Sequence, residues 1–296
     1  MHNCRVLCFG PAFRGGQAVR FTFWGTRGSI PVPGPGTLRY GGNSTCCELD
    51  LDGQRVIIDA GSGIRPLGQA LGPQPGELIL LLTHLHWDHV MGFPFFAPAY
   101  SHQAVIRVGG WPRGLPGLEQ MFHSVHVQGY FPIDFGYFPI DFKDLHADIL
   151  RDPSLDPPRF AIGRHQITTI PLNHPQGAIG YRLEGPGGAL VFITDNELDP
   201  LAPAPPELVE FCRGADILIH DAQFLPSEMA LRRGWGHSDW ASALRLAQAA
   251  GVGRLLFTHH DPGRDDQALE RVVEQARAQA GGLPVEAAAE GQVLEL

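Results

Sequence analysis

Runs of hydrophobic residues alternate with polar segments along this chain and predict a protein built from strands and helices. Short apolar runs bounded by turn residues predict strands, and apolar positions at helical spacing predict helices. The predicted strands cover residues 45–51, 54–59, 78–83, 105–109, 167–172, 178–183, 189–194, 216–220 and 255–258. The predicted helices follow Ser62 and cover residues 206–213, 238–250 and 266–280. This alternation favours an α/β protein in which helices cover β-sheets.

Two local signals add detail to this pattern. The first two strands are predicted to form a hairpin that turns at Asp52-Gly53, since an Asp-Gly pair suits a tight turn. Ser238 is the predicted N-cap of the helix at residues 238–250, because its hydroxyl can accept a hydrogen bond from the first turn.

Polar side chains cluster directly after the strand predicted at residues 78–83, where His84, His86, Asp88 and His89 fall close together. Side chains two residues apart in an extended chain point the same way, so His84 and His86 can approach one cation. Asp88 and His89 lie beyond the turn and can face a second cation. Imidazole and carboxylate groups at this spacing indicate metal binding. The alternative interpretation is a solvated turn that is rich in histidine by chance.

These four residues resemble the signature of the metallo-β-lactamase superfamily. Later segments resemble the rest of its ligand set in the same order, and these are Asn173-His174-Pro175, Thr194-Asp195 and Thr258-His259. The resemblance runs from about Phe21 to about Leu269 and implies a four-layer αββα sandwich with a dinuclear metal site. It implies that His84, His86 and His174 bind the first metal, that Asp88, His89 and His259 bind the second, and that Asp195 bridges them.

Within the superfamily, the chain resembles the branch that contains tRNase Z and the small cyclic phosphodiesterases. Asp195 stands where true β-lactamases usually have cysteine. Gly236-His237-Ser238 resembles a phosphodiesterase segment whose histidine acts beside the metals, and residues 219–224 resemble the His-Glu-Ala-Thr segment of tRNase Z, with Asp221 at the glutamate position. The resemblance implies that His237 acts on the leaving group or binds phosphate and that Asp221 orients it. Capping of the following helix is the alternative role for His237.

The resemblance therefore implies a dinuclear metal-dependent hydrolase. Two divalent ions would share a water, lower its pKa and supply a bridging hydroxide for attack on phosphorus. His and Asp ligands favour Zn²⁺, with Mn²⁺ or Fe²⁺ as alternatives. Asp88 and Asp195 would offset part of the charge of the two metals, which suits a singly charged, small or cyclic phosphodiester. The alternatives are a tRNase Z-like RNA 3′-processing endonuclease, a thioester or lactone hydrolase, and a non-catalytic binding protein of the same fold.

Composition limits the class of protein further. Lys and Arg total 22 and Asp and Glu total 31, so the net charge is 22 − 31 = −9, which disfavours a nucleic-acid partner. No segment approaches the ~18 consecutive apolar residues of a membrane-spanning helix. The five cysteines are Cys4, Cys8, Cys46, Cys47 and Cys212. They form no paired motif, so we expect a reducing compartment, the cytoplasm, and no functional thiol. The composition is compatible with a homo-oligomer.

Length and repeats complete the sequence-based expectations. Residues 21–296 are expected to form one domain, and residues 1–20 an N-terminal extension for which disorder is one option. Gly129–Phe135 is repeated without change as Gly136–Phe142. The repeat is either an enlarged aromatic lid over the metals or a surface loop without a role in chemistry. Asp59, His220 and His260 are expected to support the ligands from behind. The remaining histidines of interest are expected to be surface or packing residues, namely His123, His126, His146 and His165.

Overall fold

Two β-sheets packed face to face form the centre of the protein, and helices cover their outer faces. The computed structural model describes residues 6–7, 19–72, 75–110, 114–145 and 159–296. The layers follow the order helix, sheet, sheet, helix, so the predicted αββα sandwich is confirmed.

The first sheet has seven strands in the order β15-β2-β3-β4-β5-β6-β7. Its strands are β2 (Arg20–Gly25), β3 (Cys46–Leu51), β4 (Gln54–Ile58), β5 (Glu77–Leu82), β6 (Val105–Gly110), β7 (Asp141–Asp144) and β15 (Val293–Glu295). The predicted hairpin joins β3 to β4, and its turn residues Asp52 and Gly53 have φ of 56° and 90°. Both residue types tolerate the left-handed conformation that such a turn requires. From β4 onwards the strands run parallel.

The second sheet has eight strands in the order β1-β8-β9-β10-β11-β12-β13-β14. Its strands are β1 (Val6–Leu7), β8 (Arg159–Ile162), β9 (His165–Leu172), β10 (Ala178–Gly185), β11 (Gly188–Ile193), β12 (Ile217–Asp221), β13 (Leu255–Thr258) and β14 (Val285–Ala287). β11 to β14 are parallel, and β9 runs in their direction because β10 is antiparallel to both β9 and β11. The carboxyl ends of β9, β11, β12 and β13 therefore meet at one edge.

The helices in the described ranges are α1 (Ile64–Leu71), α2 (Trp87–Val90), α3 (Leu115–Val127), α4 (Pro206–Cys212), α5 (Met229–Arg232), α6 (Trp240–Ala250) and α7 (Asp266–Gln279). None of the helices described here is long and apolar enough to cross a membrane.

The predicted N-cap at Ser238 is wrong by one residue. α6 begins at Trp240, and the Asp239 side chain accepts hydrogen bonds from the amides of Ala241 and Ser242 at 2.9 and 3.0 Å. The Ser238 hydroxyl instead donates to the carbonyl of Asn196 at 2.6 Å. Ser238 is thus engaged with a neighbouring loop and is not free to cap the helix.

The core lies in the three spaces between the four layers, as β5 illustrates. Ile79 and Leu81 point between the two sheets, where they join Phe192 and Ile219 of the second sheet. Leu78, Leu80 and Leu82 point outwards, against α1 and α3. Both faces of β5 are buried, which explains its unbroken apolar sequence. The second sheet is covered in the same way by α4, α6 and α7.

The duplicated segment contributes to the core. Phe135 and Phe138 are buried, and the ring centroids of Phe135 and Phe142 lie 4.6 Å apart. Phe138 packs at 5.4 Å against Phe93, which follows the predicted metal motif. The repeat therefore has buried phenylalanines, while its two tyrosines, Tyr130 and Tyr137, are exposed. Its phenylalanines fill the space beneath α3, and its second copy runs into edge strand β7.

The expected division into an extension and a domain stays a prediction. Within residues 1–20, Val6–Leu7 pairs with β8, and Val19 is buried just before β2. Residues 1–5 and 8–18 lie outside the described residues.

Candidate metal centre

Titratable side chains gather where six strands end, at the same edge of the two sheets. They are Asp59 after β4, His84 after β5, His174 after β9, Asp195 after β11, Asp221 at the end of β12 and His259 after β13. Parallel strands place such ends side by side. Asp88 and His89 reach the same place from α2.

Several of these positions have an unusual backbone conformation. Asp59, Asp195 and His259 have φ of 64°, 58° and 54°, the left-handed region that residues other than glycine rarely adopt. Ser29 and Gln176, which contact the site, also have φ of 65°. Strained residues of this kind cluster where a function requires a particular side-chain direction. Here the conformation turns each side chain out of its strand and towards the site.

His84, His86 and His174 form the first cluster, in which ligand atoms lie within 4.8 Å of one another. His174 Nε2 is 2.9 Å from His86 Nδ1. His84 Nε2 is buried and has no hydrogen-bond partner. A buried nitrogen without a partner is costly unless another group binds it.

Asp88, His89 and His259 form the second cluster. The Nε2 atoms of His89 and His259 are 3.3 Å apart, and His259 Nε2 is 3.1 Å from Asp88 Oδ2. All three side chains are buried.

Asp195 lies between the two clusters, and each of its oxygens faces one of them. Oδ1 is 3.7 Å from Nε2 of both His84 and His174. Oδ2 is 3.2 Å from His89 Nε2 and 3.4 Å from His259 Nε2. A carboxylate in this position can contribute one oxygen to each of two cations.

The donor atoms fit a pair of small divalent cations. Two nitrogen ligands on one tetrahedral Zn²⁺ at ~2.0–2.1 Å are separated by about 3.3 Å. The distances of 2.9 Å between His174 and His86, 3.3 Å between His89 and His259, and 3.7 Å between His84 and Asp195 bracket that value. The residues present therefore fit the dinuclear centre that the sequence predicts.

Each candidate histidine ligand uses one ring nitrogen to face the site, and its other ring nitrogen lies within hydrogen-bonding distance of a neighbouring group. Nδ1 of His89 donates to Asp59 Oδ2 at 2.8 Å, as expected for Asp59. Nδ1 of His174 donates to the carbonyl of Gly236 at 2.9 Å. Such bonds fix the tautomer and leave Nε2 without a proton and facing the site.

Three further contacts come from residues that are not among the predicted site residues. His259 Nδ1 lies 2.9 Å from Gln223 Oε1, and His86 Nε2 lies 2.8 Å from Gln176 Oε1. The amide of Ser29 donates to Asp88 Oδ2 at 2.7 Å. Gln223 lies two residues after Asp221, in the segment that resembles tRNase Z, so this resemblance could have identified it as a site residue. No local pattern points to Ser29 or Gln176, because only the folded chain brings them to the site.

The protonation states suit metal binding at most positions. Burial lowers the pKa of His84 and of His174, so both imidazoles are neutral near pH 7. Burial favours the protonated form of Asp195, but the imidazoles of His259 and His89 outweigh it and hold the pKa of the carboxyl well below its usual range. Neutral imidazole and ionised carboxylate are the ligating forms. At His89 burial is outweighed by Asp195 and Asp88, which raise the pKa, so a proton and a cation compete for this ring.

His237 lies beside both clusters. Its ring stacks on that of His259 with centroids 4.9 Å apart, and its buried Nδ1 is 3.7 Å from Asp195 Oδ1 and has no hydrogen-bond partner. Burial favours the neutral ring, but Asp221 and Asp195 outweigh it and raise the pKa of His237. His174, Asp195 and His237 also form a group of possible ligand atoms. The position thus suits a proton donor, a phosphate contact or an additional ligand.

Asp221 interacts with the backbone more closely than with the imidazole that it was expected to orient. Its Oδ2 accepts from the Ser238 amide at 2.9 Å, and its Oδ1 accepts from the Asn196 amide at 3.3 Å. The distance from Oδ2 to His237 Nδ1 is 3.7 Å, beyond a direct hydrogen bond. Asp221 therefore fixes the loops that carry His237 and Asp195 and acts on the imidazole through charge.

The other histidines lie farther from the ligands. His260 donates to the carbonyl of Ala288 at 2.8 Å and contacts no candidate ligand side chain among the described residues. The expectation that His260 supports a ligand is therefore wrong. His220 lies 3.3 Å from the side-chain amide of Asn196, next to Asp195. His165 pairs with Asp52 in the β3–β4 turn, and His146 lies outside the described residues.

The cysteines in the described part of the chain do not have the properties of reactive thiols. Cys46, Cys47 and Cys212 are buried and unpaired. Burial raises the pKa of the Cys46 and Cys47 thiols, and it raises that of Cys212 to about 12. These thiols are protonated and unreactive near neutral pH. Cys4 and Cys8 lie outside the described residues.

Comparisons with known proteins place the chain among relatives of one superfamily. The family model described as "Beta-lactamase superfamily domain" matches residues 54–260. Ribonuclease Z of Haloferax volcanii is 26% identical over 318 residues, covering 95% of this chain and 96% of the relative. Ribonuclease Z of an Exiguobacterium species is 27% identical over 281 residues, covering 78% of this chain and 88% of the relative. The crystal structure of a diphosphatase from the PhnP family is similar in fold, with a TM-score of 0.62 and 20% identity over 95% of this chain and 98% of that one.

Proposed function

This chain belongs to the beta-lactamase superfamily and is a metal-dependent hydrolase, and on that premise we propose that it is a dinuclear phosphodiesterase acting on a small or cyclic phosphodiester. The position of Asp195 carries the proposal. One carboxylate oxygen faces each histidine cluster, and His237 lies beside the same carboxylate.

His84, His86 and His174 would hold one divalent ion, and Asp88, His89 and His259 the other. Zn²⁺ is the metal that this ligand chemistry favours. Bound together, two such ions supply Lewis acidity and a water of lowered pKa. Asp88 and Asp195 offset only part of the charge of two divalent ions, so the site retains positive charge for the anionic group of a phosphodiester.

The residues beside the clusters supply help for the leaving group. Asp195 and Asp221 lie on the Nδ1 side of His237 and stabilise its imidazolium form. Nε2 is then the atom that donates a proton to the departing oxygen, or a hydrogen bond to the phosphoryl group. A thioester needs no such proton, because a thiolate is a far better leaving group than an alkoxide. The placement of His237 therefore favours phosphodiesters over thioesters.

A substrate panel with the metal-loaded protein tests the proposal. We expect turnover of bis(p-nitrophenyl) phosphate and of cyclic nucleotides, and little turnover of thioesters and lactones. Faster hydrolysis of a thioester or lactone would reassign the reaction. Full metal loading without turnover of any ester, together with tight binding to a partner, would indicate a non-catalytic binding protein.

RNA 3′ processing is the second candidate, because two similar relatives are named ribonuclease Z. The net charge of −9 opposes it, since a broad basic surface is the usual means of holding a structured RNA. Cleavage of a precursor tRNA that carries a 3′ trailer distinguishes the two. A kcat/KM for the precursor above that for every small diester would favour the endonuclease.

A further inference from the structure

An arginine and a tryptophan stack on each other in the segment that leads to His237. The Arg232 guanidinium carbon lies 4.4 Å from the centroid of the Trp235 indole, a cation–π geometry. The Trp235 amide also donates to the carbonyl of Arg232 at 3.1 Å. The two side chains thus form one unit at the end of α5.

This pair is tied to the candidate metal centre. The buried ring of Phe224 lies between Trp235 and His237, with centroid distances of 6.4 and 5.8 Å. Gly236, the residue after Trp235, accepts the hydrogen bond from His174. The Glu197 carboxylate accepts from the amides of Gly234 and Gly236 at 2.9 and 2.8 Å, so the turn that presents Trp235 is fixed on both sides.

The pair is nevertheless open to a ligand. Trp235 is 54% exposed, so much of its indole is accessible to a ligand. Arg232 makes no ion pair with any carboxylate in the described part of the chain. The positive charge is therefore available at the rim of a site that suits phosphodiesters.

We propose that Trp235, held by Arg232, is a nucleobase-stacking subsite, so that the phosphodiester substrate carries a nucleoside. This inference rests on the proposed phosphodiesterase function. Every nucleobase has a π face that can stack on an exposed indole, and the guanidinium of Arg232 holds that indole in place. Trp235 would determine substrate class without touching the reacting bonds.

Two esters that differ only in the nucleoside test the inference. Thymidine 5′-(p-nitrophenyl phosphate) and methyl p-nitrophenyl phosphate share their leaving group and charge. We expect Trp235→Ala to lower kcat/KM for the thymidine ester by about 10-fold, mainly through KM, because stacking contributes to binding on that scale. The methyl ester should change by less than about 2-fold. Trp235→Phe should restore most of the loss.

Leu231→Ala is the matched control, since this side chain is 85% exposed in the same segment and belongs to no part of the pair. It should leave both esters unchanged. Arg232→Ala should show a smaller selective loss, and adding it to Trp235→Ala should cost little more, because both act through the indole. If Trp235→Ala lowered kcat/KM equally for the two esters, the indole would serve loop stability and not nucleobase binding. If it lowered kcat/KM for neither ester, the indole would not contact the substrate.

If the wild-type protein hydrolyses neither ester, the proposed phosphodiesterase function is defeated, but the stacking subsite is not yet tested. Calorimetry of thymidine 5′-monophosphate binding then tests the subsite. Trp235→Ala should then weaken binding of the nucleotide by about 10-fold and leave inorganic phosphate binding unchanged. Unchanged nucleotide binding would overturn the subsite.

Discussion

The carbonyl oxygen of Gly236 accepts a hydrogen bond of 2.9 Å from Nδ1 of His174. This contact ties the segment carrying His237 to a candidate ligand of the first metal. A Cβ atom added at Gly236 would lie 2.1 Å from that same nitrogen, and φ at Gly236 is 83°. The close approach therefore requires glycine for two reasons, space and backbone conformation.

We expect Gly236→Ala to displace His174 and to lower metal affinity or kcat/KM by about 10- to 100-fold, the usual cost of losing a bond that orients a metal ligand. Gly234→Ala is the matched control. Gly234 has nearly the same φ, 82°, but a Cβ there meets nothing within 4 Å. Both variants should lose about 1–2 kcal/mol of stability to backbone strain, measured by urea unfolding.

Only Gly236→Ala should lose metal, as measured by elemental analysis. Equal metal content in the two variants would mean that the Gly236 carbonyl does not hold His174 for binding. Loss of metal in both would assign the effect to the loop conformation alone.

The sequence predicts the candidate ligands better than it predicts their supports. The ligand residues follow apolar strands, and the short spacing of His84, His86, Asp88 and His89 leaves few arrangements other than a shared site. The supports depend on tertiary contacts. The Gly236 carbonyl is a backbone group, so no residue type in the sequence indicates its contact with His174. The Ser29 amide is also a backbone group, and it reaches Asp88 from a loop far away in the sequence.

Local signals also conflict at some elements. α3 begins Leu115-Pro116-Gly117, and Pro and Gly together usually indicate a turn, although Pro is well tolerated in the first turn of a helix. Ser238 and Asp239 are adjacent residues that can both cap a helix, and the contact of Ser238 with Asn196 decides between them. Strand β2 has the alternation that predicts a strand, with Phe21 and Phe23 buried, although it is not among the strands predicted from the sequence.

An ion pair between turns of the two sheets gives a pH-dependent prediction. Asp52 in the β3–β4 turn binds Arg164 through two hydrogen bonds of 2.6 and 2.7 Å and His165 through one of 2.9 Å. The hydrogen bonds from Arg164, opposed by some burial, lower the pKa of Asp52. Asp52→Asn should keep the turn, because Asn also tolerates positive φ, and should lower stability by about 1 kcal/mol near neutral pH.

The difference should depend on pH in one direction. The folded pKa of Asp52 lies below its unfolded value, so the stabilisation is fully present above the unfolded pKa, near ~3.9, and is lost as the pH falls through the folded pKa. Urea unfolding of both proteins from pH 7 down to pH 3 measures this. Glu210→Gln removes an exposed pair with Arg213 and should change little. A difference for Asp52→Asn that does not shrink below ~pH 4 would assign it to packing.

The assignment of two metals predicts the metal content of ligand variants. Protein purified without chelator should hold about two transition-metal ions per chain. His259→Ala should retain about one, because the first cluster does not use it, and His84→Ala should lose metal and activity on every substrate. His260→Ala is the control, since this buried neighbour bonds to the Ala288 carbonyl and to no ligand. Elemental analysis of the folded fraction checks each value. Full retention of metal in His259→Ala would defeat the assignment of the second site.

His237 should be separable from the ligands by the substrates on which its loss matters. We expect His237→Ala to keep its metal and to lower kcat by about 10²–10⁴-fold on diesters with poor leaving groups, the usual contribution of a positioned proton donor. The loss should shrink for p-nitrophenolate, which needs no proton. Asp221→Asn should reproduce the selective loss and also lower stability, because its carboxylate binds the amides of Ser238 and Asn196. An equal loss on good and poor leaving groups would assign His237 to phosphate binding, and loss of metal would make it a ligand.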